Sequence, residues 1–203
     1  MHIALFGATG GTGRQVLAQA LEQGHTITAL ARDPNKLQPH DGLTQIGGDV
    51  LDPAAVAKSV EGADAVICVL GSHGRQEPIE ARGTERILAA MQAAGVRRLV
   101  VVSSLGVGDS RAQIAWPFRL VMDLMLKTVL EAKAEQEQLV MASGLDWVIV
   151  RPGGLTDGPR TSAYRFGVDP TLKSGRIARA DVADFVLRQL TDDSFLHQTP
   201  AVT

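Results

Sequence analysis

Gly7-Ala8-Thr9-Gly10-Gly11-Thr12-Gly13 follows directly on a short apolar run, Ile3 to Phe6, and opens a segment with helical spacing that reaches Gln23. A strand that turns through G-x-x-G-x-x-G into a helix is the start of a βαβ unit. One glycine permits the tight turn, another lets the backbone approach an anion with no Cβ in the way, and a third lets helix and strand pack closely. The N–H groups of the new helix then face the anion, so the turn reads as the pyrophosphate cradle of a dinucleotide site. Gly7, Gly10, Gly11 and Gly13 supply its backbone. Thr9 and Thr12 offer hydroxyl donors to phosphate oxygens, or equally caps for the helix.

Outward from this turn, further apolar runs occur at Thr26 to Leu30, Leu43 to Ile46, Ala65 to Leu70, Leu99 to Val102 and Trp147 to Val150. Segments with helical spacing separate them: Pro53 to Val60, Glu77 to Ala94 and Pro117 to Ala142. Most close on a glycine, such as Gly24, Gly62, Gly95 or Gly144. Continuous apolar strands alternating with amphipathic helices predict a parallel sheet covered on both faces, hence an α/β, doubly wound, Rossmann-like fold. No composition break divides the chain, so residues 1–203 are expected to form a single domain. The Gly-, Pro- and Thr-rich stretch from Pro152 to Gly175 reads as a long substrate-side loop, about 152–175. A last unit, Arg176 to Ala178 and then Ala180 to Leu190, reads as a short strand and a helix with Asp181 near its start.

The 203 residues carry 20 Lys and Arg against 22 Asp and Glu, a net charge of −2, which removes the electrostatic argument for nucleic acid or an anionic membrane. The longest stretch without a charged side chain, Met1 to Gly13, is short and glycine-rich, so no membrane span is expected. The N-terminus lacks the pattern of an export signal, and a cytoplasmic protein is expected. One cysteine, Cys68, allows no internal disulfide and reads as a buried small hydrophobe inside the fourth strand. The five histidines, His2, His25, His40, His73 and His197, show no metal-ligand spacing, and no metal is expected. His73 reads as a loop side chain facing water.

The choice of nucleotide falls at the end of the second strand, 19 residues past Gly13, in Ala29-Leu30-Ala31-Arg32-Asp33. An arginine there pairs with a 2′-phosphate, with Lys36 as a second cation, and NADPH is expected; Asp33 keeps NAD as the minority reading. After the third strand, Asp49 is placed to accept from an adenine amino group and Val50 to pack on the ring edge, while Asp52 is placed to cap the helix at Pro53. Leu70 and Gly71, followed by Ser72, should pass beside the ribose. The fifth strand ends in Val102-Ser103-Ser104-Leu105-Gly106 and the sixth in Val150-Arg151-Pro152-Gly153-Gly154-Leu155, so both strings should point into one crevice. Ser103 or Ser104 is placed to hold the nicotinamide carboxamide or a substrate carbonyl, or to satisfy local backbone groups.

The strings GATGGTG, ARDP, GDVLDP, SSLGVG, SGLDWVIVRPGGL and ARADVADFVL together resemble the atypical short-chain dehydrogenase/reductase superfamily over nearly the whole chain. Within it the chain is most similar to the flavin reductase/biliverdin-IXβ reductase family, small NADPH enzymes that transfer hydride to flavins and linear tetrapyrroles. That resemblance matches Ser104 with a serine near nicotinamide and substrate. It also matches Gly7, Thr9, Gly10, Thr12, Gly13, Arg32, Asp49 and Val50 with dinucleotide contacts, and Pro152 belongs to the RPGG string of the group. It implies a flavin or bilin as planar small-molecule acceptor, and a monomer or small homo-oligomer is expected.

The chain departs from the branch of the superfamily that uses a Tyr-x-x-x-Lys pair. Its one tyrosine is Tyr164, residue 168 is valine, and the helical lysine that survives, Lys133, has Val129 four residues earlier. Alcohol oxidation by that pair is therefore not expected. Lys133 either reaches the ribose or is solvated on its Ala- and Glu-rich helix, and the solvated reading is preferred. An electron-poor conjugated ring that takes hydride and draws its proton from water fits the missing tyrosine. The loop with Trp116, Pro117 and Phe118 and the segment with Tyr164 and Phe166 read either as a cover for a flat acceptor or as packing against a helix. The stripe Val121, Met122, Leu124, Met125 and Leu126 reads as core or oligomer contact. The competing functions are a nonenzymatic NADP(H)-sensing regulatory module and an NAD(P)-dependent epimerase or quinone reductase.

Overall fold

The computed structural model of the chain describes residues 1–72, 77–114 and 127–203. The expectations for His73, for the Trp116-Pro117-Phe118 string and for the stripe from Val121 to Leu126 lie outside the described residues, and the helix expected from Pro117 is described from Lys127 onward. In chain order the elements are β1 (His2–Phe6), α1 (Gly11–Glu22), β2 (Thr26–Ala31), β3 (Leu43–Gly47), α2 (Pro53–Val60), β4 (Ala65–Cys68), α3 (Glu80–Ala94) and β5 (Arg98–Val102). They continue with α4 (Lys127–Met141), β6 (Asp146–Pro152), β7 (Gly154–Thr156), β8 (Phe166–Gly167), β9 (Arg176–Ala178), α5 (Arg179–Arg188) and β10 (Ala201–Val202).

Six parallel strands run in the order β3-β2-β1-β4-β5-β6, as expected for a doubly wound α/β domain. Chain direction across the sheet reverses between β1 and β4, which opens a crevice beyond the carboxyl ends of the strands. Alternation along each strand divides the core between the two faces. Ile3 and Leu5 pack with Val16 and Leu17 of α1 and Val182 and Phe185 of α5, while Ala4 and Phe6 pack with Val56 of α2, Ile87 and Met91 of α3 and Val140 of α4. Gly24, Gly62, Gly95 and Gly144, expected as helix stops, all adopt positive φ. β4 ends at Cys68, two residues short of the expected Leu70, because its neighbour β1 ends at Phe6, where the chain turns through Gly7.

The stretch expected as a long loop, 152–175, is largely tied down. Gly154 N–H donates to the Gly175 carbonyl at 2.8 Å and β7 pairs in parallel with β9, so the base of the excursion is closed. A Cβ on Gly153 would stand 2.5 Å from the Gly175 carbonyl oxygen, which explains the first glycine of the RPGG string as room for a backbone crossing. Asp181, 4% exposed, accepts from the N–H groups of Thr161 and Ser162 and from the Thr161 hydroxyl. The Tyr164 hydroxyl donates to Asp184 and its ring packs on Phe185, so this segment packs on a helix rather than covering the crevice. Strands β10 and β8 extend the sheet beyond β6, β8 antiparallel to β10; two-residue strands leave no periodicity to read in a sequence.

Two buried charged groups hold the crevice side together. Arg151, expected to point into the crevice, turns away from it and forms a bidentate pair with Glu137 of α4, at 3.0 and 2.6 Å, and a third bond to Asp109. Both members of the Arg151–Glu137 pair are 4% exposed, whereas Asp109 is 84% exposed. Glu80 at the start of α3 accepts from the Ser72 hydroxyl, the Ser72 N–H and the Ile79 N–H, closing the link that leaves β4. Burial alone would raise its pKa, but those donors and the nearby Lys133 ammonium hold the carboxyl below the usual range.

Removing one partner of a buried pair strands the other, so Glu137→Ala should cost about 3 kcal/mol in urea unfolding. Asp109→Ala, at the exposed end, should cost under about 1 kcal/mol; equal losses would show that the buried pair is not the anchor. A carboxyl with a depressed folded pKa contributes stability that is present above its unfolded value, about 4.3, and is lost as pH falls through the folded value. Glu80→Gln should therefore cost about 1–3 kcal/mol at pH 7. The difference from wild type should shrink below about pH 4, read from denaturant midpoints at the two pH values.

Candidate active site

A cavity of about 490 Å³ lies in the crevice and is walled by the glycine turn, the ends of β2, β4 and β5, and the Gly48-Asp49-Val50 string. Gly7 has φ +89°, and a Cβ there would collide with the Val69 carbonyl; a Cβ on Gly13 would collide with the Gly7 carbonyl. Only glycine at both positions lets α1 begin directly behind the strand end. Gly10 is the N-cap of α1, with extended backbone and no side chain to cap it. Among the described residues neither Thr9 nor Thr12 hydroxyl makes a hydrogen bond, so neither caps the helix. The free N–H ends of α1 therefore face the cavity with two uncommitted hydroxyls beside them, the donor set a pyrophosphate requires.

At the far end of the cavity Arg32 is exposed and, among the described residues, has no ion-pair or hydrogen-bonding partner. Its neighbour Asp33 is engaged elsewhere: it caps the turn Pro34–Lys36 through the Asn35 N–H and lies 3.9 Å from Lys36. Neither Asp33 nor Lys36 reaches the cavity wall. Asp49 lines the cavity while one of its oxygens accepts from the Leu51 N–H; Val50 packs toward α3 at Gly83; Asp52 caps α2 through the Ala54 N–H. Leu70, Gly71 and Ser72 form the wall beside them.

The two serines after β5 part company. Ser103 lines the cavity, 4% exposed, and its Oγ has no hydrogen-bonding partner. Ser104 stands outside the lining, its hydroxyl donating to the Leu105 carbonyl at 3.2 Å. Pro152 also stands outside, its carbonyl accepting from the Leu105 N–H. A buried hydroxyl left without a partner is costly, so the Ser103 Oγ is the polar atom in this wall that asks for a bound group.

The solvated reading of Lys133 is overturned. Its side chain is buried, lines the cavity and places Nζ 3.4 Å from the Leu70 carbonyl and 3.3 Å from the Val102 carbonyl, bridging the ends of β4 and β5. Burial lowers its pKa, while Glu80, Cys68 and Glu137 act in the opposite direction. Helix periodicity carried the missing signal: Lys133 shares a face with the buried Gln136, Glu137 and Val140. Cys68 is fully buried beneath it, and burial pushes the thiol up. Tyr164 is absent from the wall, its hydroxyl committed to Asp184 and its pKa raised by burial. Leu155, in β7, lines the wall as expected of the string that ends β6, and so does Arg179, at the start of α5, for which the sequence reading held no such expectation.

Among the described residues no group of three His, Cys, Asp or Glu side chains is placed to hold a metal ion, and no helix is long and apolar enough to cross a membrane. The cavity's donors, cations and orphaned hydroxyl fit a nicotinamide dinucleotide.

Comparison with known proteins agrees. The profile of the NAD(P)H-binding family matches residues 7–193. An uncharacterized chloroplast protein of Arabidopsis thaliana is 32% identical over 199 residues, covering 92% of this chain and 71% of the relative. The oxidoreductase YlbE of Lactococcus lactis superposes with a TM-score of 0.87 at 25% identity, over 100% of this chain and 90% of that one. ChuY, an anaerobilin reductase of Escherichia coli O157:H7, shares the fold with a TM-score of 0.85 at 24% identity, over 100% of this chain and 96% of that one. The chain, with its glycine turn packed too tightly for any side chain, thus belongs to the NAD(P)H-binding family of Rossmann-fold, atypical short-chain dehydrogenase/reductase oxidoreductases.

Proposed function

We propose that the chain is an NADPH-dependent reductase that delivers hydride to a flavin or to a bilin-like, linear tetrapyrrole. The observation that carries the cofactor choice is the pairing state at the end of β2: Arg32 is uncommitted at the cavity rim, while Asp33 is engaged in a turn away from it. A free guanidinium suits a 2′-phosphate, and the acidic group beside it that would take the 2′-hydroxyl of NAD, Asp33, does not reach the wall. When bound, the nicotinamide supplies the hydride.

The chain's own residues position and exclude. The Ser103 Oγ–H is placed to donate to the nicotinamide carboxamide or to an acceptor carbonyl. The Lys133 ammonium, with two N–H bonds directed at the Leu70 and Val102 carbonyls, has a third for a ribose hydroxyl. Leu70, Ile79, Val102 and Leu155 give the wall an apolar surface suited to a flat ring. The tyrosine acid is missing from the wall, which fits an acceptor whose conjugation takes up the negative charge and whose proton comes from solvent. ChuY, an anaerobilin reductase, supports the reading that this fold accommodates a tetrapyrrole chain.

Mixing the protein with NADPH and FMN, FAD or biliverdin should consume NADPH, followed by its absorbance; no consumption with any of the three would overturn the reductase reading. Arg32→Asp should weaken NADPH about 10- to 100-fold, the size of one charge-assisted contact, and leave NADH within about threefold. Equal losses would remove Arg32 as the discriminator. Ser103→Ala should lower kcat about tenfold or more with the NADPH Kd little changed. Its melting temperature should not fall, because the hydroxyl removed has no partner in the fold.

A further inference from the structure

Gly11 is the one glycine of the cradle that the G-x-x-G-x-x-G spacing does not use. A Cβ on it would stand 2.8 Å from both Cδ and Nε of Arg179, so the space above this residue is filled by a side chain from the far end of the sequence. Arg179 opens α5 and lines the cavity. Its Nη1 is held by Asp157, which follows β7, at 2.6 Å.

The guanidinium sits in an electrostatically poor place. It lies against the first residue of α1 and belongs to the first residue of α5, so two helix N-termini, each carrying partial positive charge, oppose it. The anion that compensates it is a side chain 88% exposed, while Arg179 itself is 28% exposed. An ion pair with so solvated a member adds little and is cheap to exchange. A phosphate group in the cradle would meet the N–H ends of α1 and the guanidinium together, turning the mutual repulsion into a shared attraction. The cations of the wall are then spread along the cavity: Arg32 after β2, Arg179 over the turn and Lys133 between β4 and β5.

Building on the dinucleotide reading, we propose that Arg179 is a pyrophosphate clamp: it leaves Asp157 when the dinucleotide enters and closes over the cradle from beside the first residue of α1. The clamp is carried by the C-terminal β9–α5 unit, so the cradle is completed by residues about 170 positions away from it in the chain.

Calorimetric titration of the full chain with NADPH, NADH and ADP-ribose tests this. Arg179→Ala should weaken all three by about tenfold or more, because the pyrophosphate is common to them, and Arg179→Lys should recover part of the loss. Asp157→Asn, which removes the competing carboxylate, should tighten all three. Unchanged binding by Arg179→Ala overturns the proposal; a loss confined to NADPH overturns it in favour of a 2′-phosphate contact; weakening by Asp157→Asn overturns the exchange. Melting curves check that the variants fold, and Arg179→Lys carries the test alone if Arg179→Ala does not. Wild-type protein that binds none of the three ligands would sink the dinucleotide reading itself, and the clamp with it, whereas failure of the clamp alone leaves wild-type binding intact.

Discussion

The Cβ-free crossing of Gly13 over the Gly7 carbonyl is the contact on which the rest of the molecule's crevice depends. It fixes how closely α1 starts behind β1: a side chain at Gly13 would push the helix away, while one at Gly7 would collide with the Val69 carbonyl beyond β4. With α1 in place, Val16, Leu17 and Ala20 reach the core beside Ile3, Leu5 and Ile27, and α5 packs its Val182 and Phe185 into the same cluster. The same approach aims the uncapped N–H groups of α1 into the cavity. Packing and anion recognition therefore share one cause: α1 starts close to the strand because nothing larger than hydrogen stands between them, and its donors are unpaired because that start faces the crevice.

A parallel sheet leaves a second obligation at its carboxyl ends, where backbone carbonyls run out of strand partners. Lys133 meets it for two carbonyls, and other buried charges brace the elements around it. Lys133 bridges the Leu70 and Val102 carbonyls, Glu80 gathers the donors of Ser72 and Ile79, and Arg151 joins β6 to α4 through Glu137. Each of these groups is buried, and each is compensated by hydrogen bonds as well as by opposite charge, the condition under which buried charge is tolerated. The Ser103 Oγ stands apart from them as a buried hydroxyl of the wall left unpaired, which makes it the natural contact point for a bound molecule.

The central sheet was legible in the sequence because its cause is local: apolar strands, glycine stops and the cradle turn each carry their own spacing, and the observed strands β1 to β6 fall where those runs lie. What escaped is what long-range packing decides. Lys133 looks solvated by composition, yet it lies on the face of α4 that carries Gln136 and Val140 into the interior. Arg151 sits at a strand end that points toward the crevice, but alternation turns its side chain to Glu137. The stretch 152–175 has the Gly and Pro content of a free loop, while Asp181 and the Gly153 crossing tie it to the body. Ser103 and Ser104 are equivalent in sequence; only the direction of each side chain separates a wall residue from a hydroxyl bonded to its own neighbour.

The tethering of that stretch bears on function. A cradle built from β1 and α1 alone would hold an anion from one side and leave the other to water, where screening weakens every charge-assisted contact. Here the stretch runs out from β6 through β7 and returns through β9, and its return delivers α5 and Arg179 to the open side of the turn. The Gly153–Gly175 crossing lies immediately before β9, and Asp181 ties α5 to the excursion by accepting from the Thr161 and Ser162 N–H groups. Gly153 thus acts through the backbone: its crossing lies at the base of β9, β9 leads into α5, and α5 carries the Arg179 side chain that lies against Gly11. A tight second crossing at the carboxyl end of the sheet does for the far wall what Gly7 and Gly13 do for the near one.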